Sequence, residues 1–158
     1  MRAARNIVRA SSGDDRDLEF CLRLTRAYMT VTRRLDNVLS GLHGLSFADF
    51  MILHYLERAP GSKLRRVDLA ERLGLTASGA TRSLIPMEKL GLVSRESDPR
   101  DARVGFAVLT DSGRQLLTYA ASSVQTVAEE VMAAVPTERV AELSTFLRQL
   151  AGMNSSNS

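Results

Sequence analysis

Residues 64–95 read LRRVDLAERLGLTASGATRSLIPMEKLGLVSR, and this stretch decides the fold. Apolar side chains at helical spacing predict a first short helix over residues 67–73, which ends at Gly74. Thr76 then begins a second helix as its N-cap residue, and Gly91 ends that helix. Two helices joined by a turn of three or four residues that contains glycine form a helix-turn-helix.

The apolar pattern changes after Gly91 from helical spacing to that of short strands. Residues 92–95 and 104–109 are rich in strand-forming side chains, and the polar, turn-prone segment 97–102 separates them. The sequence therefore predicts a β-hairpin with a charged tip directly after the helix-turn-helix.

Further helices are predicted on both sides of this module. Apolar residues three and four positions apart predict a long helix over residues 17–42, and Ser46 caps a shorter helix that follows it. After the hairpin, Thr110 caps another long helix, and a last helix carries apolar residues between positions 140 and 150. The predicted fold is mainly α with a small β-hairpin wing, an α+β arrangement of about six helices in which a winged helix-turn-helix is joined to a helical dimerisation domain.

The flanking helices carry more apolar surface than one small winged domain can bury. We therefore predict that they pack against a second copy of the chain and form a homodimer. The predicted regions are a flexible N-terminal arm over 1–15, a helical dimerisation region over 16–44 and 111–152, a winged helix-turn-helix DNA-binding domain over 45–110 and a flexible tail over 153–158.

The composition is that of an ordinary globular protein, with 158 residues of which 44% are apolar and 25% charged. The single cysteine, Cys21, cannot form an internal disulfide, and no run of about 18 apolar residues is present to span a membrane. The N-terminal segment lacks the apolar core of a secretory signal. We therefore expect a cytoplasmic protein without a membrane partner.

The positive charge of the chain is concentrated in the helix-turn-helix and the hairpin. The formal net charge is +3 overall, whereas ten basic and six acidic residues give the segment from Arg58 to Arg103 a charge of +4 and leave −1 for the rest. Localised positive charge beside a helix that fits a DNA groove is what contact with phosphates requires. Taken alone, the charge pattern also fits a solvated charged face.

Enzyme motifs are absent from the sequence. It contains no G-x-S-x-G, no glycine-rich phosphate-binding loop, no H-E-x-x-H and no Ser/His/Asp set beyond chance. Two histidines and one cysteine, without ligand spacing, do not predict a metal site. We therefore predict a protein that is not an enzyme, with no catalytic residues, no metal and no cofactor.

The stretch from Leu64 to Gly113 resembles the MarR-type winged helix-turn-helix transcription regulators. The similarity lies in four pieces with matching order and spacing: D-L-A-x-R-L-G-L, T-R-x-L-x-x-x-E-K-x-G-L-V-x-R, D-P-R-D-A-R and L-T-x-x-G. The flanking helices resemble the family's dimerisation helices in number and length, so the resemblance covers nearly the whole chain. It implies a bacterial homodimeric repressor that binds a pseudopalindromic promoter site in double-stranded DNA and is often released by a small ligand or by oxidation.

This resemblance implies DNA contacts from the helix over residues 76–90, which matches the recognition helix. Ser78, Thr81 and Arg82 occupy its base- and phosphate-contacting positions. Arginine can bond a guanine edge with two hydrogen bonds, and short hydroxyls reach bases or phosphates. The alternatives are exposed filler for Ser78 and Thr81, and a local ion pair with Glu88 or a phosphate contact alone for Arg82.

The resemblance also implies DNA contacts from the wing. Arg103 matches the arginine that enters the minor groove, where negative potential attracts it, and Asp101 matches the acid that orients it. Arg100 is a second candidate, Arg95 is placed for a phosphate, and a surface ion pair of Asp101 with Arg103 is the alternative. The predicted DNA-binding residues are Thr76, Ser78, Thr81, Arg82, Arg95, Arg100, Asp101 and Arg103. We expect Arg103→Ala to weaken promoter binding while the dimer stays folded.

Three residues depart from the family pattern. Gly79 lies inside the recognition helix, where it costs about 1 kcal/mol relative to alanine. Pro86 removes a backbone donor, so we expect a kink there. Arg65 stands where the family often has a capping threonine, so the start of the preceding helix is weakly specified.

An effector site is predicted near the junction of the two regions. Family members bind aromatic acids in a cleft there, and the polar candidates in this chain are Arg26, Tyr28, His43, His54 and Tyr55. Partly buried histidines with ordinary hydrogen bonds are the alternative interpretation.

Two further interpretations keep the same fold but change the function. A branch of the family uses a cysteine on the first helix as a peroxide sensor, and Cys21 lies about one position from that place, although its Leu and Phe neighbours favour packing as a small hydrophobe. A winged helix can also bind another protein, but that use favours an apolar recognition face, whereas Ser78, Thr81 and Arg82 are polar.

Overall fold

The computed structural model describes residues 14–101 and 104–152. The predictions for the N-terminal arm before residue 14, for Arg103 and for the tail over 153–158 lie outside the described residues. The helices and strands are α1 Asp14–His43, α2 Phe47–Arg58, β1 Lys63–Arg65, α3 Arg66–Arg72, α4 Ala77–Lys89, β2 Val93–Ser97, β3 Gly105–Leu109, α5 Asp111–Met132 and α6 Thr137–Leu150. None of these described helices is both long enough and apolar enough to cross a membrane. The mainly α fold with a small wing is confirmed.

Hydroxyl side chains begin three of the helices. The oxygens of Ser46, Thr76 and Thr110 each accept a hydrogen bond of 3.1 Å from the backbone N–H three residues further on. Ser46 belongs to a complete capping box, since the Asp49 carboxylate accepts from its backbone N–H. These caps confirm the predicted starts of α2, α4 and α5, and Arg65 before α3 provides no side-chain cap, as its residue type predicts.

The helix-turn-helix is formed by α3 and α4. Gly74 between them has φ +65°, a conformation that glycine adopts without steric cost, and it ends α3 as predicted. Leu69 of α3 and Ala80 and Leu84 of α4 are completely buried, so the two helices pack through their apolar faces.

The wing is a three-stranded antiparallel sheet rather than a hairpin alone, with strand order β1-β3-β2. β2 and β3 form the predicted hairpin, in which Val93 lies opposite Leu109 and Arg95 opposite Ala107. β1 pairs with the other edge of β3, with Leu64 opposite Ala107. The sequence does not predict β1, because three residues with one apolar side chain have no period of their own and take their conformation from pairing with a distant strand.

One apolar core joins the winged helix-turn-helix to the inner parts of the long helices. Its largest completely buried side chains are Leu39, Ile52, Leu53, Leu56, Leu69, Leu84, Met87 and Val93. Leu39 comes from α1, and Leu117 and Ala120 of α5 belong to the same cluster. Because α1 and α5 contribute to this core, the end of α1 and the start of α5 are fixed to the winged helix-turn-helix.

The outer parts of α1 and α6 leave apolar side chains exposed on the single chain. No residue of α6 is buried, and its exposed apolar residues, between 41% and 51% accessible, are Leu143, Phe146, Leu147 and Leu150. Leu18, Leu22 and Met29 are exposed on α1. Phe146 contacts Phe20 edge-on with the ring centroids 5.7 Å apart, so the exposed faces of α6 and α1 adjoin.

Cys21 is exposed, which corrects the expectation that its Leu and Phe neighbours pack around it. The physical reason is that the neighbouring Leu18, Phe20 and Leu22 are themselves exposed in this outer part of α1. An apolar stripe on a helix therefore does not bury a residue within the chain unless another element of that chain covers it.

Candidate nucleic-acid interface

The outer face of α4 carries the three residues predicted to contact DNA. Ser78 and Arg82 are exposed, and Thr81 is half-buried with its Oγ1 donating to the carbonyl of Ala77 at 3.0 Å. Within residues 14–101 and 104–152, Arg82 has no ion pair. Its guanidinium is therefore available to a partner outside the chain.

The inner face and the cap of α4 fix the direction of this outer face. Ala80, Leu84 and Met87 are buried against the rest of the module. Thr76 uses its Oγ1 to cap the helix, and a Cβ on Gly79 would lie 3.3 Å from that oxygen. Gly79, which costs helix propensity, thus leaves room for the cap, and α4 continues across Pro86 to Lys89.

Glu88 near the end of α4 pairs with Arg66 and not with Arg82. Nη2 of Arg66 donates to Oε1 of Glu88 at 2.6 Å, and the two side chains are 13% and 27% exposed. The alternative of an Arg82–Glu88 pair is therefore wrong. The sequence does not predict the Arg66–Glu88 pair, because nothing local distinguishes Arg66 from the adjacent Arg65. In the structure Arg65 pairs locally with Asp68.

β2 and the loop after it carry the predicted wing residues. Arg95 is exposed on β2, and Arg100 is exposed in the loop, where its backbone N–H donates to Oδ1 of Asp98 at 2.8 Å. The backbone carbonyl of Asp101 accepts a hydrogen bond of 2.9 Å that closes the loop. Arg103 lies outside the described residues, so its entry into a minor groove stays a prediction.

A charged side chain links the two outer strands of the wing. Nζ of Lys63 on β1 lies 2.9 Å from Oε1 of Glu96 on β2, and it sits 5.2 Å from the ring centroid of Phe106 on the central strand. This ion pair joins the two outer strands across the central strand β3.

Ion pairs between described residues of the module engage several of its acids. Asp68, Glu88 and Glu96 are paired with Arg65, Arg66 and Lys63, respectively. The basic residues of this segment that have no ion pair among the described residues are Arg58, Arg72, Arg82, Lys89, Arg95 and Arg100. The positive charge that remains is therefore carried largely by exposed residues of α4 and the wing.

The five predicted effector residues do not form one cleft within a single chain. Arg26 and Tyr28 lie on the exposed part of α1, about 26 Å and 22 Å along the helix from His43 at its end. Nε2 of His43 lies 2.9 Å from Oγ of Ser123 on α5. His54 and Tyr55 are half-buried on α2.

The environment of His54 is apolar and positively charged. Its ring stacks on Phe50, with centroids 6.1 Å apart, and meets Tyr55 edge-on at 6.0 Å. Burial lowers the pKa of His54 from its ordinary value of 6.5, and the nearby charge of Arg58 lowers this pKa further. The neutral imidazole is therefore favoured in the folded chain.

A capped helix with a polar outer face, a shorter helix packed against it and a three-stranded wing define the chain as a winged helix-turn-helix protein. The model of the MarR family matches residues 43–104. The HTH-type transcriptional regulator MhqR of Bacillus subtilis is 24% identical over 140 residues, which cover 89% of this chain and 94% of that protein.

Two solved structures extend the similarity over most of the chain. Sco3205, a MarR family transcriptional regulator from Streptomyces coelicolor whose structure contains DNA, is 24% identical with a TM-score of 0.81, covering 97% of this chain and 96% of its own. The transcriptional regulator BldR from Sulfolobus solfataricus is 28% identical with a TM-score of 0.78, covering 87% and 96%. Residues 43–104 therefore match the MarR family of transcriptional regulators, and the fold over most of the chain is that of these solved regulators.

Proposed function

We propose that the chain binds a pseudopalindromic site in double-stranded DNA as a homodimer and represses transcription from the promoter that contains it. In this proposal α4 enters the major groove and the wing reaches the adjacent minor groove. The observation that carries it is the outer face of α4, where exposed Ser78 and Arg82, which has no ion pair among the described residues, lie on a helix whose opposite face is buried.

The dimensions and charge of α4 support this assignment. Its 13 residues make a helix about 20 Å long, and its diameter suits a major groove about 12 Å wide. Its first turn contains no acidic residue, so the positive end of the helix dipole is available to phosphates. Exposed Arg95 and Arg100 on the wing extend the positive surface beside it.

The homodimer is supported by the apolar faces that the single chain leaves uncovered. Residues 16–44 and 111–152 form the proposed dimerisation region, which includes α6 without a buried residue and the exposed outer part of α1. A second copy related by a two-fold axis would present a second α4 to DNA. Half-sites one helical turn apart, about 34 Å, are the spacing that such a dimer requires.

A small aromatic or phenolic effector is a further part of the proposal. Arg26 and Tyr28 border a shallow groove on α1 together with exposed Met29. A cation, a phenol and an apolar side chain suit an aromatic acid, and a second copy would cover the groove. The redox alternative rests on the exposed thiol of Cys21, and unchanged DNA affinity after mild peroxide treatment would end it.

Selection of bound fragments from the genomic DNA of the source, followed by affinity measurements on one fragment, tests the proposed function. We expect Arg82→Ala to weaken binding about 10- to 100-fold, because a well-formed arginine contact to a base contributes 1–3 kcal/mol. Arg65→Ala is the control, because it removes an arginine of the same module that pairs locally with Asp68, and it should bind like the wild type. Recovery of no fragment at low salt, or wild-type affinity of Arg82→Ala, would contradict the assignment.

A further inference from the structure

We propose that Arg66 is a positioning residue that fixes the orientation of α4 relative to the wing, so that both can contact one DNA duplex at the same time. This inference rests on the proposed DNA-binding function. Arg66 does not itself contact DNA in this arrangement, because its side chain is only 13% exposed.

The side chain of Arg66 lies where the helix-turn-helix meets the wing. Arg66 is the first residue of α3, and its Nη2 donates to Oε1 of Glu88 at 2.6 Å, which ties the start of α3 to the end of α4. A Cβ on Gly105 at the start of β3 would lie 3.4 Å from Cδ of Arg66, so the stem of the arginine packs against the wing strand at the position that has no side chain. One side chain therefore contacts both parts of the proposed interface.

Arg95 on β2 adds an electrostatic component to this junction. Burial lowers the pKa of Arg66 and the charge of Arg95 lowers it further, whereas Glu88 raises it, so the Arg66 guanidinium lies within electrostatic reach of both a second cation and a carboxylate. Glu88 bonds Arg66, whereas Arg95 has no ion pair among the described residues and is exposed on β2. The exposed guanidinium of Arg95 is therefore accessible to a DNA phosphate.

The energetics of the pair favour a role in geometry over a role in stability. A largely buried ion pair loses hydration that its mutual attraction only partly restores, so such pairs contribute little net stability. Among the described residues, the buried Nε of Arg66 has no hydrogen-bond acceptor. An apolar pair would fill this position without an unpaired donor, but it would not define the mutual orientation of α3 and α4 through a directional bond.

The test uses full-length Arg66→Gln, Glu88→Gln and the double variant, with Arg65→Gln as the matched control. Arg65 is the adjacent arginine, and its pair with Asp68 is 54% and 36% exposed. Each protein is titrated against two 30-base-pair probes, a duplex selected from a random library by the wild type and an unselected random-sequence duplex. The salt dependence of binding and the thermal unfolding midpoint are measured in parallel.

A positioning role predicts that Arg66→Gln and Glu88→Gln each lower the ratio of selected to random affinity about tenfold. The double variant should lose no more than either single variant, because both remove the same bond. The slope of affinity against salt should stay at the wild-type value, and Arg65→Gln should keep the wild-type ratio.

Other outcomes would overturn the inference. An equal loss on both duplexes with a smaller salt slope would make Arg66 a phosphate contact. A wild-type affinity ratio in folded Arg66→Gln or Glu88→Gln, even with a lower unfolding midpoint, would leave the pair a merely structural role. If Arg66→Gln does not fold, Glu88→Gln decides the question alone, and failure of the wild type to bind either duplex would instead reject the proposed function.

Discussion

Gly113 connects α5, a helix of the proposed dimerisation region, to the winged helix-turn-helix at the level of single atoms. A Cβ at this position would lie 2.1 Å from the carbonyl oxygen of Leu92, which is closer than real contacts allow. The preceding Thr110 donates its hydroxyl to the carbonyls of Gly91 at 2.6 Å and Leu92 at 3.0 Å. The start of α5 is thereby held against the loop between α4 and β2, next to the end of α4.

The contact at Gly113 predicts a large effect of a single methyl group. Gly113→Ala should lower the free energy of unfolding by about 2 kcal/mol, because backbone rather than a flexible side chain must shift. Gly41→Ala is the control: apart from its chain neighbours and the backbone of its own helix, no atom lies within 4 Å of an added Cβ, so this variant in α1 should be neutral or stabilised by about 0.5–1 kcal/mol. Urea denaturation at one protein concentration measures both, and a wild-type midpoint for Gly113→Ala would contradict the packing described.

His54 predicts a pH dependence of stability with a definite sign. Its pKa is lowered in the folded chain by burial and by Arg58, so the unfolded chain binds a proton more readily. The contribution of neutral His54 to the free energy of unfolding is fully present above pH 6.5, the ordinary pKa of histidine in the unfolded chain. This contribution is lost as the pH falls through the lower pKa of the folded chain. Denaturation at pH 7.5 and 5.5 should show a smaller acid-induced loss for His54→Gln than for the wild type, and parallel losses would contradict the assignment.

At the scale of helices and strands, features that depend on neighbouring residues can be predicted from the sequence. Features that depend on contacts between distant residues cannot. Ser46, Thr76 and Thr110 specify helix starts through hydrogen bonds to residues three positions away, so the sequence predicts them. The pairing of Leu64 with Ala107 and the bond of Arg66 to Glu88 join positions far apart in the chain. No short-range pattern encodes such pairs, which is why β1 and the junction at Arg66 are visible only in the folded structure.

In the candidate site, too, features set by local sequence are predictable, and features set by distant parts of the chain are not. Ser78, Thr81 and Arg82 share one side of a helix with a clear apolar face, so their outward position is predictable from helical spacing. The exposure of Cys21 cannot be predicted from helical spacing, because it depends on which element covers the outer part of α1. The effector residues cannot be grouped from the sequence either, since Tyr28 and His43 lie at distant places on one helix.

The exposed apolar face of α6 predicts the effect of a single buried charge on the proposed dimer. Leu147 is 47% exposed on the single chain, and Leu147→Glu should raise the dimer dissociation constant at least about tenfold, because the interface would have to bury an unpaired carboxylate. Gln149→Glu adds the same charge at an exposed polar residue of α6 and serves as the control. Sedimentation over a range of concentrations measures both, and equal dissociation constants would exclude α6 from the interface.

At the scale of the whole molecule, the net charge is only +3, but the positive charge is concentrated in the winged helix-turn-helix. Ion pairs within the module bring three acids next to three cations, while Arg82, Arg95 and Arg100 remain exposed on α4 and the wing. A dimer would double this positive surface and present it to a duplex from two related positions. Since contacts to phosphates release counterions, such a surface binds DNA with a strong dependence on salt.

The salt dependence of DNA binding is therefore the most direct test of the proposal that the chain is a dimeric DNA-binding regulator. The affinity of the full-length protein for a selected duplex is measured between 50 and 200 mM salt. If the dimer makes 6–10 phosphate contacts, the affinity should fall about 10³- to 10⁵-fold across this range. An affinity that does not change with salt, or no binding at 50 mM, would contradict the account.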